Sequence, residues 1–267
     1  MERVELGGTW TLTRAADGSE RPMTVPGDIL SALVATGEAP DPFHDRNELE
    51  LQWVGREDWT LTRRFDAPES LLACNRVFIE FESIDTIAEV SLNGAPLGSG
   101  VNMFRRFRAD IGGLLKREDN VLTVAIHSPE LEAERRAAGL PYPVPASTYP
   151  VSSPHRNLVR KAQCMGGWDW GPCLMTGGLY DGVAIIGVDG PRIEYVRTRM
   201  RRAAGPGAGS GDAAAGGRTP PDDGAARVAF IVDVTVELDA DRAADARLVF
   251  ELAGAGPTPR LAVPPGA

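Results

Sequence analysis

The stretch Ala88-Glu89-Val90-Ser91-Leu92-Asn93-Gly94 alternates apolar and polar side chains and then runs into Asn-Gly. A period of two gives a strand one buried and one solvated face, and Asn-Gly supplies the positive-φ pair that a tight hairpin turn needs. The same period recurs outward from it. Residues 59–65, 76–82 and 120–126 alternate in this way, and Trp10-Thr11-Leu12-Thr13 reads as a first strand after Gly7-Gly8. Phe104, Arg106 and Arg108 share one side of a further extended stretch, and Val183-Ala184-Ile185-Ile186-Gly187-Val188 closes the pattern. Short strands with hairpin turns and few helices predict an all-β chain, most simply an antiparallel jelly-roll sandwich.

Two helices punctuate the strands. Asp28 is a good N-cap for a helix from Ile29, with Ile29, Ala32 and Leu33 on one face and Gly37 as its stop. Ser128 caps a second, with Pro129 in its first turn and Gly139 at its end. Between strands lies the polar loop Asp41-Pro42-Phe43-His44-Asp45-Arg46-Asn47-Glu48, followed by a turn of helix over 49–53. Residues 141–154 are rich in Pro and cannot pair as a central strand.

Composition sets the outer bounds. The 267 residues are 43% hydrophobic and 24% charged, ordinary for a globular protein, and suffice for one large β-domain and part of another. The formal net charge of −9, with no basic block, argues against nucleic acid and against anionic membranes as partners. The N-terminus lacks an apolar signal-like run, so the chain as given is expected to be cytoplasmic. Cys74, Cys164 and Cys173 do not form a disulfide framework. A bridge between Cys164 and Cys173 would close one loop in an oxidising compartment, whereas in a reducing one both are small buried residues. His44 between Asp41 and Asp45 has no second His or Cys nearby, so no metal site and no cofactor are called for.

One stretch carries chemistry. In Gln163-Cys164-Met165-Gly166-Gly167-Trp168-Asp169-Trp170-Gly171-Pro172-Cys173 two indoles flank a carboxylate, and the glycines and proline read as a tight loop rather than strand or helix. Indole faces stack on the C–H faces of a sugar, and a carboxylate accepts hydrogen bonds from its hydroxyls. The alternative is that both Trp are core and that Asp169 caps a turn. Arg160 or Lys161, just upstream, is a candidate to pair with Asp169.

Beyond residue 190 the pattern restarts. Residues 191–196, 228–238 and 247–252 read as strands, interrupted by a Gly-, Ala- and Pro-rich stretch over 203–226 that is expected to be a disordered loop. About three strands cannot close a sandwich of about seven. The expected domains are therefore 1–190, a jelly roll, and 191–267, an incomplete sandwich.

Several blocks, taken together and in order, carry a family resemblance: Val25-Pro26-Gly27-Asp28, Asp41-Pro42 with Arg46-Asn47-Glu48, Glu50-Leu51-Gln52-Trp53-Val54, Asp58-Trp59, Leu92-Asn93-Gly94, Asn102-Met103-Phe104-Arg105, and Arg160-Lys161-Ala162-Gln163 with Gly167-Trp168-Asp169-Trp170-Gly171-Pro172. They resemble the N-terminal domain of β-mannosidases of glycoside hydrolase family 2, over roughly residues 5–200. The resemblance implies a galactose-binding-like jelly roll, then an immunoglobulin-like sandwich, then a (β/α)8 barrel bearing an acid/base and a nucleophilic glutamate. Such enzymes are exo-acting and release terminal β-D-mannose with retention.

Carried over, Asp169 binds sugar hydroxyls, Trp168 and Trp170 shape the terminal subsite, and Asn47 is a further sugar contact unless it caps its turn. The implied partners are a β-mannoside or mannose-terminated oligosaccharide and a C-terminal barrel beyond these residues. Two departures stand out. Many members carry an aromatic residue or His where Met165 and Gly166 stand, and no barrel sequence is present. The only Asn-Glu pair, Asn47-Glu48, lies in the early loop, so Glu48 is not read as an acid/base and no catalytic residue is assigned. The chain alone is expected to hydrolyse nothing. A stand-alone carbohydrate-binding module and an inactive truncated product are the alternatives.

Overall fold

The computed structural model describes residues 1–145, 152–202 and 230–239. The chain divides into two compact units, Met1–Asp189 and Gly190–Ala267.

The first unit opens with β1 (Glu2–Glu5), β2 (Gly8–Arg14) and β3 (Glu20–Val25). Trp10, Leu12, Met23 and Val25 turn inward while the residues between them face out, so the period of two holds. A short β4 (Gly27–Asp28) leads into α1 (Ile29–Ala35). The Asp28 carboxylate accepts the Ser31 backbone N–H at 3.1 Å, and Ile29, Leu30, Ala32 and Leu33 are buried. After the polar loop come α2 (Asn47–Glu50) and a 3-10 turn, Gln52–Arg56.

The strand-rich middle comprises β5 (Trp59–Phe65), a helical turn α3 (Glu69–Leu72), β6 (Arg76–Phe81), β7 (Ile87–Leu92) and β8 (Ala95–Gly100). Leu92 pairs with Ala95 across Asn93 and Gly94, whose φ values of 54° and 83° are the pair of positive angles a type I′ turn requires. Next are β9 (Phe107–Asp110), β10 (Asn120–His127) and α4 (Pro129–Ala138). Ser128 caps α4, its hydroxyl accepting the Leu131 N–H at 3.0 Å and donating to the Gly55 carbonyl at 2.7 Å. The first unit ends with β11 (Gly166–Trp168), β12 (Gly171–Cys173), β13 (Gly178–Leu179) and β14 (Val183–Val188).

Two antiparallel sheets face each other across one core. One has six strands in the order β3-β2-β5-β10-β7-β8, the other four in the order β1-β14-β6-β9. Register places Val124 between Leu61 and Val90, so one apolar row crosses three strands of the larger sheet. The core it shares with Val77, Ile79, Phe81 and Ile185 of the smaller sheet also holds Trp10 and Trp59, both almost fully buried. This non-consecutive strand order, with every pair antiparallel, is the jelly-roll sandwich expected. Behind the smaller sheet, Phe78, Ile186 and Val188 form a second cluster, and the Arg108 guanidinium lies 3.8 Å from the Phe78 ring centroid.

Two local readings change. The extended stretch expected over 104–108 begins only at Phe107. Asn102 folds the preceding residues into a turn, its side chain accepting the Phe104 N–H at 3.0 Å and its carbonyl the Arg105 N–H at 3.2 Å. Gly166–Cys173, expected as a loop without strand structure, is a two-stranded hairpin.

In the second unit, β15 (Arg192–Arg202) pairs antiparallel with β16 (Phe230–Asp239), with a register shift between Ile193 and Tyr195. The stretch 203–226 and the strand expected over 247–252 lie outside the described residues.

Candidate functional site

Hairpin β11–β12 pairs Gly166 with Cys173 and Trp168 with Gly171, which leaves Asp169 and Trp170 as its tip. Gly167 carries the positive φ, 92°, that bends the incoming strand. Trp170 is 74% exposed and Trp168 is half-buried; their ring centroids lie 5.2 Å apart with planes tilted by 46°. Asp169 is exposed and has no hydrogen-bond or ion-pair partner among the described residues. At this tip Trp170 lies outside the core, and among the described residues the Asp169 carboxylate caps no turn.

The hairpin is held by the polar loop rather than by either sheet. Glu48 Oε1 accepts the Cys173 backbone N–H at 2.5 Å, and Gln52 Nε2 donates to the Cys173 carbonyl at 2.7 Å. Two side chains thus satisfy the outer edge of β12 as a neighbouring strand would. Glu48 is therefore engaged with the backbone of the hairpin. Asn47 donates from Nδ2 to the Asp41 carbonyl at 2.8 Å, so its amide closes its own loop. Of the four sequence candidates, the hairpin brings Trp168, Asp169 and Trp170 together, while Asn47 stands apart from them at the start of α2.

A shallow cleft of about 320 Å³ separates the two segments, bordered by Phe43, Asp45, Glu48, Trp168, Asp169 and Trp170. Phe43, 78% exposed, adds an aromatic surface that the sequence reading left among the loop residues. Trp170 also borders a larger groove of about 670 Å³, with Leu30, Val34, Met165 and Leu174 on its apolar walls and Thr176 and Tyr180 beside them. Among the described residues, no group of three or more His, Cys, Asp or Glu could hold a metal ion.

The cation expected to pair with Asp169 is engaged elsewhere. Lys161 is buried, and its Nζ donates to the Asp85 carboxylate and to the Thr176 carbonyl. Desolvation pushes the Asp85 carboxyl up and the Lys161 ammonium down from their ordinary values, and their mutual attraction opposes both shifts. Thr176 Oγ1 in turn donates to Asp28 Oδ1 at 3.1 Å and accepts the Leu30 N–H at 3.1 Å. This network ties both ends of the hairpin segment to the cap of α1. Arg160 is exposed, and its carbonyl accepts the Met103 N–H at 3.0 Å.

Arg156 braces the hairpin from its other side. It donates from Nη1 to the Gly166 carbonyl at 2.7 Å and to the Gly167 carbonyl, and its guanidinium carbon lies 5.2 Å from the Trp168 ring centroid. Cys164 and Cys173 are free thiols, the first exposed and the second buried. Burial pushes the Cys173 thiol up to about 11.

Residues 10–181 match the family model described as the glycosyl hydrolase 2 galactose-binding domain-like domain. The chain is 35% identical over 186 residues to a β-mannosidase of Capra hircus, covering 68% of this chain and 21% of that protein. It is 33% identical over 195 residues to one of Mus musculus, covering 72% and 22%. Among solved structures, a β-D-mannosidase from Dictyoglomus thermophilum is similar with a TM-score of 0.70 and 36% identity, over 76% of this chain and 25% of that one. The chain thus spans about a fifth of the length of these curated relatives.

Proposed function

Since this chain belongs to the glycosyl hydrolase 2 family by its galactose-binding domain-like part, we propose that it is the N-terminal portion of a β-mannosidase. In this reading the whole protein is an exo-acting, retaining glycoside hydrolase that releases terminal β-D-mannose. The present residues supply one wall of its sugar subsite, and the two carboxyl groups that do the chemistry lie on a barrel beyond them.

The observation that carries this reading is the hairpin tip: an exposed carboxylate with no partner among the described residues, between two indoles and facing a loop with an exposed Phe. Asp169 accepts hydrogen bonds from the sugar's hydroxyls, and the aromatic surfaces of Trp168 and Trp170 pack on its C–H faces. Since an ionised carboxylate only accepts, it selects ligands that present hydroxyl donors at the cleft.

The purified 267-residue chain is expected to leave an aryl β-mannoside intact. A polypeptide that continues into the catalytic part is expected to hydrolyse it, and to lose kcat/KM when Trp168 is replaced by Ala. Turnover by the 267 residues alone contradicts the division of labour.

A further inference from the structure

We propose that Arg156 is a positioning residue that sets the Trp168–Trp170 rim, with Gly166 as its steric counterpart; its functional meaning rests on the sugar-wall reading above. Arg156 sits in the 3-10 turn Arg156–Leu158, ten positions before the hairpin strand it touches. A guanidinium donates in its own plane and presents flat faces above and below. Arg156 uses both properties, donating edgewise to the Gly166 and Gly167 carbonyls while lying 5.2 Å from the Trp168 indole. One side chain thereby fixes the strand and the ring it carries. Its own backbone is anchored in return, because Gln163 Nε2 donates to the Arg156 carbonyl at 3.0 Å.

Gly166 is fitted to this arrangement. A Cβ at position 166 would stand 2.5 Å from Arg156 Cδ and 2.8 Å from its Cβ, inside van der Waals contact. A larger side chain there displaces the arginine stem and, with it, both carbonyl bonds. Among the described residues β11 has only β12 as a strand partner; its other edge receives Arg156 and, at the Gly166 carbonyl, the Ser153 N–H at 3.1 Å. The hairpin packs on its own cluster of Ala133, Val159, Cys173 and Met175, outside the main core. Losing Arg156 therefore loosens the rim and not the sandwich.

The indole pair reports on itself. Two rings 5.2 Å apart at 46° give an exciton couplet in circular dichroism, as do Trp53 and Trp59 at 6.0 Å and 40°. The difference between the wild-type chain and Trp170→Phe isolates the rim couplet, and the core pair serves as an internal control. Arg156→Met and Gly166→Ala are each expected to abolish most of that difference signal while the β-sheet spectrum and the urea midpoint stay within error. An undiminished rim couplet in either folded variant overturns the proposal. So does loss of the sandwich in both, which would make Arg156 a residue of the fold. The readout involves no sugar. If the couplet collapses while Asp169→Asn leaves kcat/KM unchanged, the positioning role stands and the sugar-wall reading falls.

Discussion

At the scale of single residues, exposure and hydrogen bonding separate the tryptophans into two kinds. Trp10 is 1% exposed and donates from Nε1 to the Leu6 carbonyl at 2.9 Å; Trp59 is 2% exposed and donates to the Val54 carbonyl at 3.2 Å. These indoles fill the sandwich and satisfy their one polar atom. Trp170 is 74% exposed, and its N–H has no partner among the described residues. Trp10→Ala is accordingly expected to cost about 3–5 kcal/mol of unfolding free energy, and Trp170→Ala less than about 0.5 kcal/mol, both read from urea denaturation. Comparable losses would mean that Trp170 is packed against something and is not a binding surface. The sequence could not make this division, since a Trp in a Gly-rich stretch and a Trp in an alternating strand are equally apolar. The residue types drew attention to the triplet, and the family blocks chose between its sugar-binding and packing readings.

At the scale of elements, legibility followed how local the determinants are. Asn93-Gly94, the Asp28 cap and the Ser128 cap each depend on neighbours within a few positions, and each stands where it was read. The hairpin did not read as one because what supports it comes from far along the chain. Glu48 and Gln52 complete its outer edge from more than a hundred positions away, and Arg156 braces the other. The Lys161–Asp85 pair was likewise invisible, joining positions 76 apart in sequence.

Helix α4 offers a pH test of local electrostatics. Hydrogen bonds from Arg135, then from Arg136, hold the Glu132 carboxyl down at about 2, against an ordinary value of 4.5. A depressed folded-state value favours the native state once the carboxyl is ionised, so this contribution is full above pH 4.5 and fades as pH falls toward 2. Glu132→Gln should flatten that acid limb of the stability curve and leave its slope near neutrality unchanged. An acid limb as steep as that of the wild type would assign it to other carboxylates.

At the scale of the whole molecule, the first unit behaves as a scaffold with an attachment. The sandwich closes its own core between two sheets, while the Trp168–Trp170 hairpin belongs to neither and is carried at the end of a tied segment. The chain spans only 21% of the Capra hircus β-mannosidase it matches. The all-β architecture was legible because period-two alternation recurs in strand after strand. The continuation of the second unit beyond β15 and β16 falls outside the described residues.

The central claim is that Asp169 exists for a sugar and not for the fold. Its most direct test is kcat/KM for an aryl β-mannoside in Asp169→Asn, measured beside Tm, in a polypeptide that carries these residues with their catalytic part. Losing a charge-assisted hydrogen bond to the sugar in the transition state costs about 1.5–3 kcal/mol, or roughly 10- to 150-fold in kcat/KM, at unchanged Tm. Unchanged kcat/KM with a lowered Tm would contradict the account and return Asp169 to a structural role.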